Sequence, residues 1–301
     1  MKRLESSHLV DGVAAAFERR ALRAQVLAAE SASARDPLTF AAGLYRAQGA
    51  LALALARAHA TRPLTGRLDD DLDRLSGDLS LVLGFVAARG PAPLATAAAM
   101  LAETDPRGRV QTFWDGDASG RADYLVRALL RPYGEVLAAA GIRPQRAAAP
   151  GGCPFCGGPA WIAARRSPTG PMISASSLAR STRVAEAHAP TQEPEPTREP
   201  EIDGAQRLLG CGLCGGEWVI NRVHCPACGE EAPGQLPTFQ GDRYPAARVE
   251  ACATCLVYVK SIDLTLDARA VPEVDDLLSL AVDLWAVDQG YTRLEPGLAG
   301  L

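Results

Sequence analysis

Eight cysteines, every one in a Cys-x-x-Cys pair and every one beyond residue 150, constrain this chain more than any other feature. The pairs are Cys153/Cys156, Cys211/Cys214, Cys225/Cys228 and Cys252/Cys255. In a reducing compartment such pairs serve metal or redox chemistry. A two-residue gap lets one tight turn present two sulfurs, and four thiolates complete a tetrahedral zinc or iron site. Four pairs therefore make two sites. Three of them place glycine directly after the second cysteine, at Gly157, Gly215 and Gly229, where a positive φ turns the backbone towards sulfur. The fourth is followed by Leu256 and lacks that aid. Independent redox dithiols fit less well, because a thioredoxin-type motif is usually single and opens a helix.

The gaps between pairs are 54, 10 and 23 residues. Consecutive pairing makes one site of Cys153, Cys156, Cys211 and Cys214, and a second of Cys225, Cys228, Cys252 and Cys255. Each is then a rubredoxin or zinc-ribbon layout of knuckle, strands, knuckle, and a 23-residue gap suits a hairpin. A cross-braced arrangement is the alternative. Between the sites, Glu217 to His224 alternates like a strand. Trp218 either fills a small core, the better-supported reading, or shields a metal; Arg222 either pairs with thiolate charge or faces solvent. His224 is surplus to two complete cysteine sets. Tyr258 and Lys260 follow the last knuckle on an expected strand, with ordinary surface roles as the default.

Residues 1–148 are rich in Ala, Leu and Arg with helical periodicity, and read as a bundle of about six helices. Asp36 reads as a cap with Pro37 at the first helical position, and Pro91 and Pro132 read as helix openers. Leu38, Ala41, Ala42, Tyr45, Gly49 and Ala52 fall near one face of the first of these helices. Asp69, Asp70 and Asp71 read as a solvated first turn rather than metal ligands. Residues 165–206, rich in Ser, Pro, Arg and Glu, read as a flexible insertion in which His188 is solvated. The expected organisation is α+β: a helical domain over 1–148, a first four-cysteine ribbon over 149–220, a second over 221–268, and a C-terminal helix and tail over 269–301. The opening residues lack the apolar core of a signal peptide, and the apolar run at 51–56 is far short of the ~20 residues of a span. A cytoplasmic chain without a membrane span is the expectation.

The spacing Cys211-x2-Cys214-x3-Trp218-x3-Arg222-x2-Cys225-x2-Cys228-Gly229, followed by Cys252-x2-Cys255-x2-Tyr258-x-Lys260, resembles the formate dehydrogenase accessory protein FdhE family. Cys153-Pro-Phe-Cys156-Gly157 and the acidic tail around Val274 to Trp285 resemble it as well. The long 165–206 segment departs from it, since members look to have a shorter hairpin there. The resemblance implies a cytoplasmic maturation factor that binds the catalytic subunit of formate dehydrogenase and carries rubredoxin-like iron on these cysteines. Spacing alone fits zinc equally well. Trp218, Arg222 and Tyr258 are the candidates for the surroundings of the metals.

Two other classes fare worse. A zinc-ribbon nucleic-acid binder needs a basic stripe, but residues 151–301 carry a net −7 against +3 for residues 1–150. A general protein-interaction module remains compatible with the ribbons. An enzyme would need an open coordination position or a nucleophile motif, and closed all-cysteine sites offer neither.

Overall fold

The computed structural model describes residues 2–75, 77–116, 123–146, 151–167 and 205–298. Most of the expected insertion, with His188, lies outside the described residues. By contacts the chain divides into two compact units, one of Met1–Val26, Asp36–Pro159 and Cys211–Gly216, the other of Leu27–Arg35, Ala160–Gly210 and Glu217–Leu301.

The first unit is helical. Among the described residues it is built from α1 (Lys2–Glu30), α2 (Arg35–Thr61), α3 (Leu68–Leu75), α4 (Leu79–Arg89), α5 (Ala92–Glu103), α6 (Pro106–Trp114) and α7 (Tyr124–Ala139). Its core draws Phe17 from α1, Leu38, Tyr45 and Leu51 from α2, Val86 from α4 and Leu130 and Leu137 from α7, all at most 1% exposed. Gly49 lets Phe17 approach, since an added Cβ would sit 3.0 Å from the Phe17 Cβ. Helix α2 is long and apolar enough to cross a membrane by length and composition, but half of its apolar window is buried within the fold.

Three local readings change here. Helix α2 starts at Arg35, so Pro37 follows its first turn's opening rather than leading it. Pro91 does cap α5, but Pro132 lies inside α7. A proline there deprives the Ala128 carbonyl of its helical donor. The Gln48 side-chain amide, from α2, donates to that carbonyl at 2.9 Å and replaces the missing bond. The third change is Asp71, which is fully buried rather than solvated. It accepts from the Thr65 and Gly66 N–H groups, from Arg74 and from the Tyr133 hydroxyl. Asp69 and Asp70 remain exposed beside Arg67.

The second unit is built on a seven-stranded sheet. Its strands are β1 (Ala160–Arg166), β2 (Gln206–Cys211), β3 (Glu217–Val219), β4 (Thr238–Gln240), β5 (Ala247–Ala251), β6 (Val257–Asp263) and β7 (Thr292–Arg293). The order is β3-β2-β1-β6-β5-β4, with β7 paired to β6. Strands β4, β5 and β6 are an antiparallel meander, while β1 and β7 run parallel to β6. The expected C-terminal helix is broken into α8 (Pro272–Asp275), a 3₁₀ turn and α9 (Leu280–Asp288).

Lys260 and Tyr258 are buried, at 0% and 1% exposure, and not at the surface. The Lys260 ammonium pairs with Asp276 at 2.9 Å and with Asp283, and Arg293 pairs with the same two carboxylates at 2.9 and 3.1 Å. The Tyr258 hydroxyl donates to Asp283. Two cations against two anions keep this cluster neutral, which makes its burial tolerable. Burial pushes the Asp276 carboxyl up, but the Arg293 and Lys260 charges outweigh it and hold it below the usual carboxylate range. Glu250 is held down in the same way by Arg207 and Arg248 against burial. Both groups therefore stabilise the fold above about pH 4, where free carboxyls ionise, and that contribution is lost as pH falls through their lowered values. The urea midpoint is expected to drop below about pH 4; a midpoint unchanged between about pH 5 and pH 3 would contradict this.

Candidate metal centres

Each Cys-x-x-Cys pair forms the same backbone turn. The N–H of the residue after the second cysteine bonds the carbonyl of the first, in Gly157, Gly215, Gly229 and Leu256 alike. The first cysteine's N–H then bonds the carbonyl one residue further on, at Gly158, Gly216, Glu230 and Val257. The three glycines take φ of +68°, +67° and +78°. Leu256 takes +57° and is, among the described residues, the sole non-glycine with positive φ. This conformation strains a side chain by ~1–2 kcal/mol. Leu256 is 53% exposed, so little packing would be lost with its side chain. Leu256→Gly is expected to raise stability by up to about 1 kcal/mol, partly offset by glycine's greater unfolded entropy. Equilibrium denaturation checks this, and a less stable variant contradicts it.

The knuckles gather consecutively into two clusters, Cys153–Cys156–Cys211–Cys214 and Cys225–Cys228–Cys252–Cys255, each with its four sulfurs within 4.8 Å of one another. Cross-bracing is thereby excluded. In the first cluster Cys153 and Cys214 sulfurs are 3.7 Å apart, and those of Cys156 and Cys211 3.4 Å. In the second, Cys225 to Cys255 and Cys228 to Cys252 are each 3.7 Å. A metal about 2.3 Å from four thiolates in a tetrahedron spaces sulfurs about 3.8 Å apart. Disulfides, at about 2.05 Å, do not fit. The donor set suits zinc or iron.

The clusters differ in surroundings. All four cysteines of the first are buried, whereas Cys228 is exposed and Cys255 half-buried in the second. Around the first, the Gly158 N–H points at the Cys156 sulfur and the Leu213 N–H at that of Cys211, both at 3.4 Å. Arg146 is partly buried near Cys156 and Cys211; burial lowers its pKa while their charge opposes that. In the second, burial would push the Cys252 thiol up, but the Thr254 and Cys255 N–H groups and its neighbouring thiols bring it to about 7.

The knuckle of Cys211 and Cys214 rests on α7 through Gly134. A Cβ there would meet the Leu213 carbonyl oxygen at 2.5 Å, and backbone cannot yield cheaply. Beside it Glu135 joins Arg20 and Arg131 in a buried triad that lies against Gly215. Gly134→Ala is expected to cost about 1–3 kcal/mol and to weaken metal retention at the first cluster. Denaturation with metal analysis checks it; unchanged values for both would refute the contact. No local signal marked Gly134 or Arg146, because their partners lie far away in sequence.

The other candidates are placed as follows. Trp218 packs with Ala160, Ala163, Leu209 and Val259. Arg222 donates to the Ala205 carbonyl and lines a cavity beside the second cluster. Tyr258 turns its hydroxyl to Asp283. His224 meets Glu231 at 3.1 Å and belongs to neither cluster.

A family model described as FdhE, C-terminal domain, matches residues 223–298, which hold the second cluster and the C-terminal helices. A protein FdhE homolog of Aquifex aeolicus (strain VF5) is 34% identical over 94 residues, 31% of this chain and 33% of that protein. Over this C-terminal stretch the chain is similar to FdhE. A homolog from Pseudomonas putida is 38% identical over 96 residues, 31% of this chain and 30% of that one. Protein FdhE of Escherichia coli O9:H4 (strain HS) is 35% identical over 88 residues, 29% and 28% respectively. The matched stretch thus spans about a third of the length of these relatives. The crystal structure of the FdhE protein from Pseudomonas aeruginosa matches 94% of both chains with a TM-score of 0.59 at 24% identity, a likeness of fold.

Proposed function

We propose that this chain is a cytoplasmic accessory factor, not itself an enzyme, that binds the catalytic subunit of formate dehydrogenase during assembly. The observation that carries the reading is the FdhE C-terminal match over residues 223–298, which contains the complete second half of the cysteine pattern. Each cluster holds one metal ion, rubredoxin-like iron or zinc, on its four thiolates. The metal supplies folding free energy to modules with small cores and, if iron, a one-electron centre. The protein's own residues align the sulfurs through the knuckle N–H groups and exclude water from the first cluster. Trp218, Arg222 and Tyr258 are assigned to the surroundings of the metals, and the domain boundaries at about 148, 220 and 268 are proposed with them.

The test is anaerobic purification with metal analysis and a visible spectrum, combined with co-purification of a tagged formate dehydrogenase catalytic subunit. Two metals per chain and retention of the subunit are expected. Ferric tetrathiolate colour that bleaches on reduction supports iron, and two colourless zinc ions remove the redox role. Absence of the subunit under both metal states overturns the client reading, while metal content tests the sites separately.

A further inference from the structure

The two cysteine clusters share one backbone turn but not one enclosure, and the difference begins in the sequence. Both knuckles of the first cluster end in two glycines, Gly157-Gly158 and Gly215-Gly216, whereas those of the second end in Gly229-Glu230 and Leu256-Val257. A Cβ added at Gly158 would lie 3.1 Å from the Cys211 sulfur and 3.2 Å from that of Cys156, and one at Gly216 would lie 3.3 Å from that of Cys214. Main chain therefore packs directly against three of the four sulfurs, and all four cysteines are at most 5% exposed. Gly215 is closed in as well, with Glu135 and Arg20 within 3.2 Å of its Cβ position.

The second cluster is open where the first is closed. Cys225 and Cys252, the first cysteine of each knuckle, are buried, but Cys228 is exposed and Cys255 half-buried. Exposure thus follows the second sulfur of each knuckle. Their neighbours Ala227, Gly229, Thr254 and Leu256 are exposed too. A Cβ at Gly229 would meet nothing within 4 Å. Between the two knuckles the Thr254 hydroxyl donates to the Glu230 carboxylate at 2.7 Å. The other oxygen of Glu230 is held by the Glu231 and Ala232 N–H groups at 3.0 and 2.9 Å, so the carboxylate is fixed as the acceptor of this link.

We infer that the second cluster is the exchangeable metal centre of this protein, entered at Cys228 by a soft thiolate or nitrogen donor, while the first cluster keeps its metal as part of the fold. The inference rests on the reading that each cluster holds one ion. The surroundings of a metal site control access to it, and an exposed ligand sulfur gives an incoming donor a way in. The bond from metal to the Cys228 sulfur breaks as one from the incoming donor forms. The freed thiolate keeps its electron pair and takes a proton from solvent at neutral pH. Main chain against the sulfurs of the first cluster closes that approach, so its metal leaves only when the knuckles open by local unfolding. The Glu230–Thr254 link ties the knuckles of the second cluster together and slows their separation.

The experiment follows zinc release from the zinc-loaded, full-length protein into excess pyridylazoresorcinol, with iodoacetamide labelling and peptide mass analysis at successive times. Metal analysis beforehand establishes whether two ions are bound. A smaller number overturns the reading of two metal centres, and the exchange with it. From the two-ion protein, release in two phases of one zinc each is expected, the faster ahead by about tenfold or more. Labelling of Cys225, Cys228, Cys252 and Cys255 is expected to accompany the fast phase, with Cys228 labelled first. Thr254→Val removes the donor of the link on an exposed residue, and is expected to speed the fast phase about 2- to 10-fold while leaving the slow phase unchanged. Release of both ions in one phase overturns the assignment. So does labelling of Cys153, Cys156, Cys211 or Cys214 ahead of the second cluster. Parent-like rates in Thr254→Val overturn the part given to the link.

Discussion

Replacing Lys260 by methionine is expected to destabilise the sheet unit by about 3–5 kcal/mol. Methionine keeps much of the stem's volume, so the loss is electrostatic. The ammonium is fully buried between Asp276 and Asp283 and also donates to the Asp276 and Ser279 carbonyls. Without it, Arg293 is the one cation left, among the described residues, against two buried carboxylates, and two carbonyls lose a donor. An uncompensated buried charge costs several kcal/mol, far more than the intact cluster contributes. Chemical denaturation of the metal-loaded protein measures this, with Asp283→Asn and the double variant completing a thermodynamic cycle. The double variant is expected to lose less than the sum of the singles, because each removes the other's counter-ion. A loss below about 1 kcal/mol for the single variant would mean that water or rearrangement relieves the cluster.

Asp71→Ala is expected to destabilise the helical unit by a similar amount, about 3–5 kcal/mol. Its carboxylate ties three pieces of chain together: the Thr65–Gly66 turn, Arg74 on its own helix and Tyr133 on α7. Gly66 sits at φ +80°, and an added Cβ would meet the Arg143 carbonyl at 2.5 Å, so that turn has little freedom to relax. Burial, with the Asp71 charge adding to it, pushes the Tyr133 hydroxyl far above its ordinary range and keeps it protonated as a donor. Alanine leaves that hydroxyl and two backbone N–H groups without this acceptor, and leaves the Arg74 guanidinium with the Pro63 carbonyl but no counter-charge from Asp71. Asp71→Asn retains one acceptor oxygen and should recover part of the loss. Thermal unfolding compares the two, and equal stability for Asp71→Ala and the parent would contradict the assignment.

The cysteine centres were legible because their signal is local: the Cys-x-x-Cys spacing marks all four knuckles, and a following glycine supports three of them. The 23-residue gap favoured consecutive pairing but left cross-bracing open, and the geometry of the two clusters decided between them. The burial of Tyr258 and Lys260 was not legible, since alternation along β6 does not say that both faces are covered. Pro132 and Asp71 misled for a related reason. A proline is expected at a helix start and an aspartate run in solvent until a distant partner, Gln48 or Tyr133, changes the balance. Leu256 shows the converse. Its sequence marked a missing glycine, and the fold took the left-handed turn regardless, held by the Cys252 carbonyl and by Thr292 bonding its own carbonyl.

The first cluster takes two sulfurs from each side of a 54-residue span. A chain divided inside that span carries Cys153 and Cys156 on one fragment and Cys211 and Cys214 on the other. Neither fragment then owns a complete donor set, so a metal held there would tie the two fragments together in addition to the pairing of β1 with β6. The second cluster stays whole on the C-terminal piece. The two centres therefore differ in kind as fasteners: one is a seam between distant parts of the polypeptide, the other a local clasp.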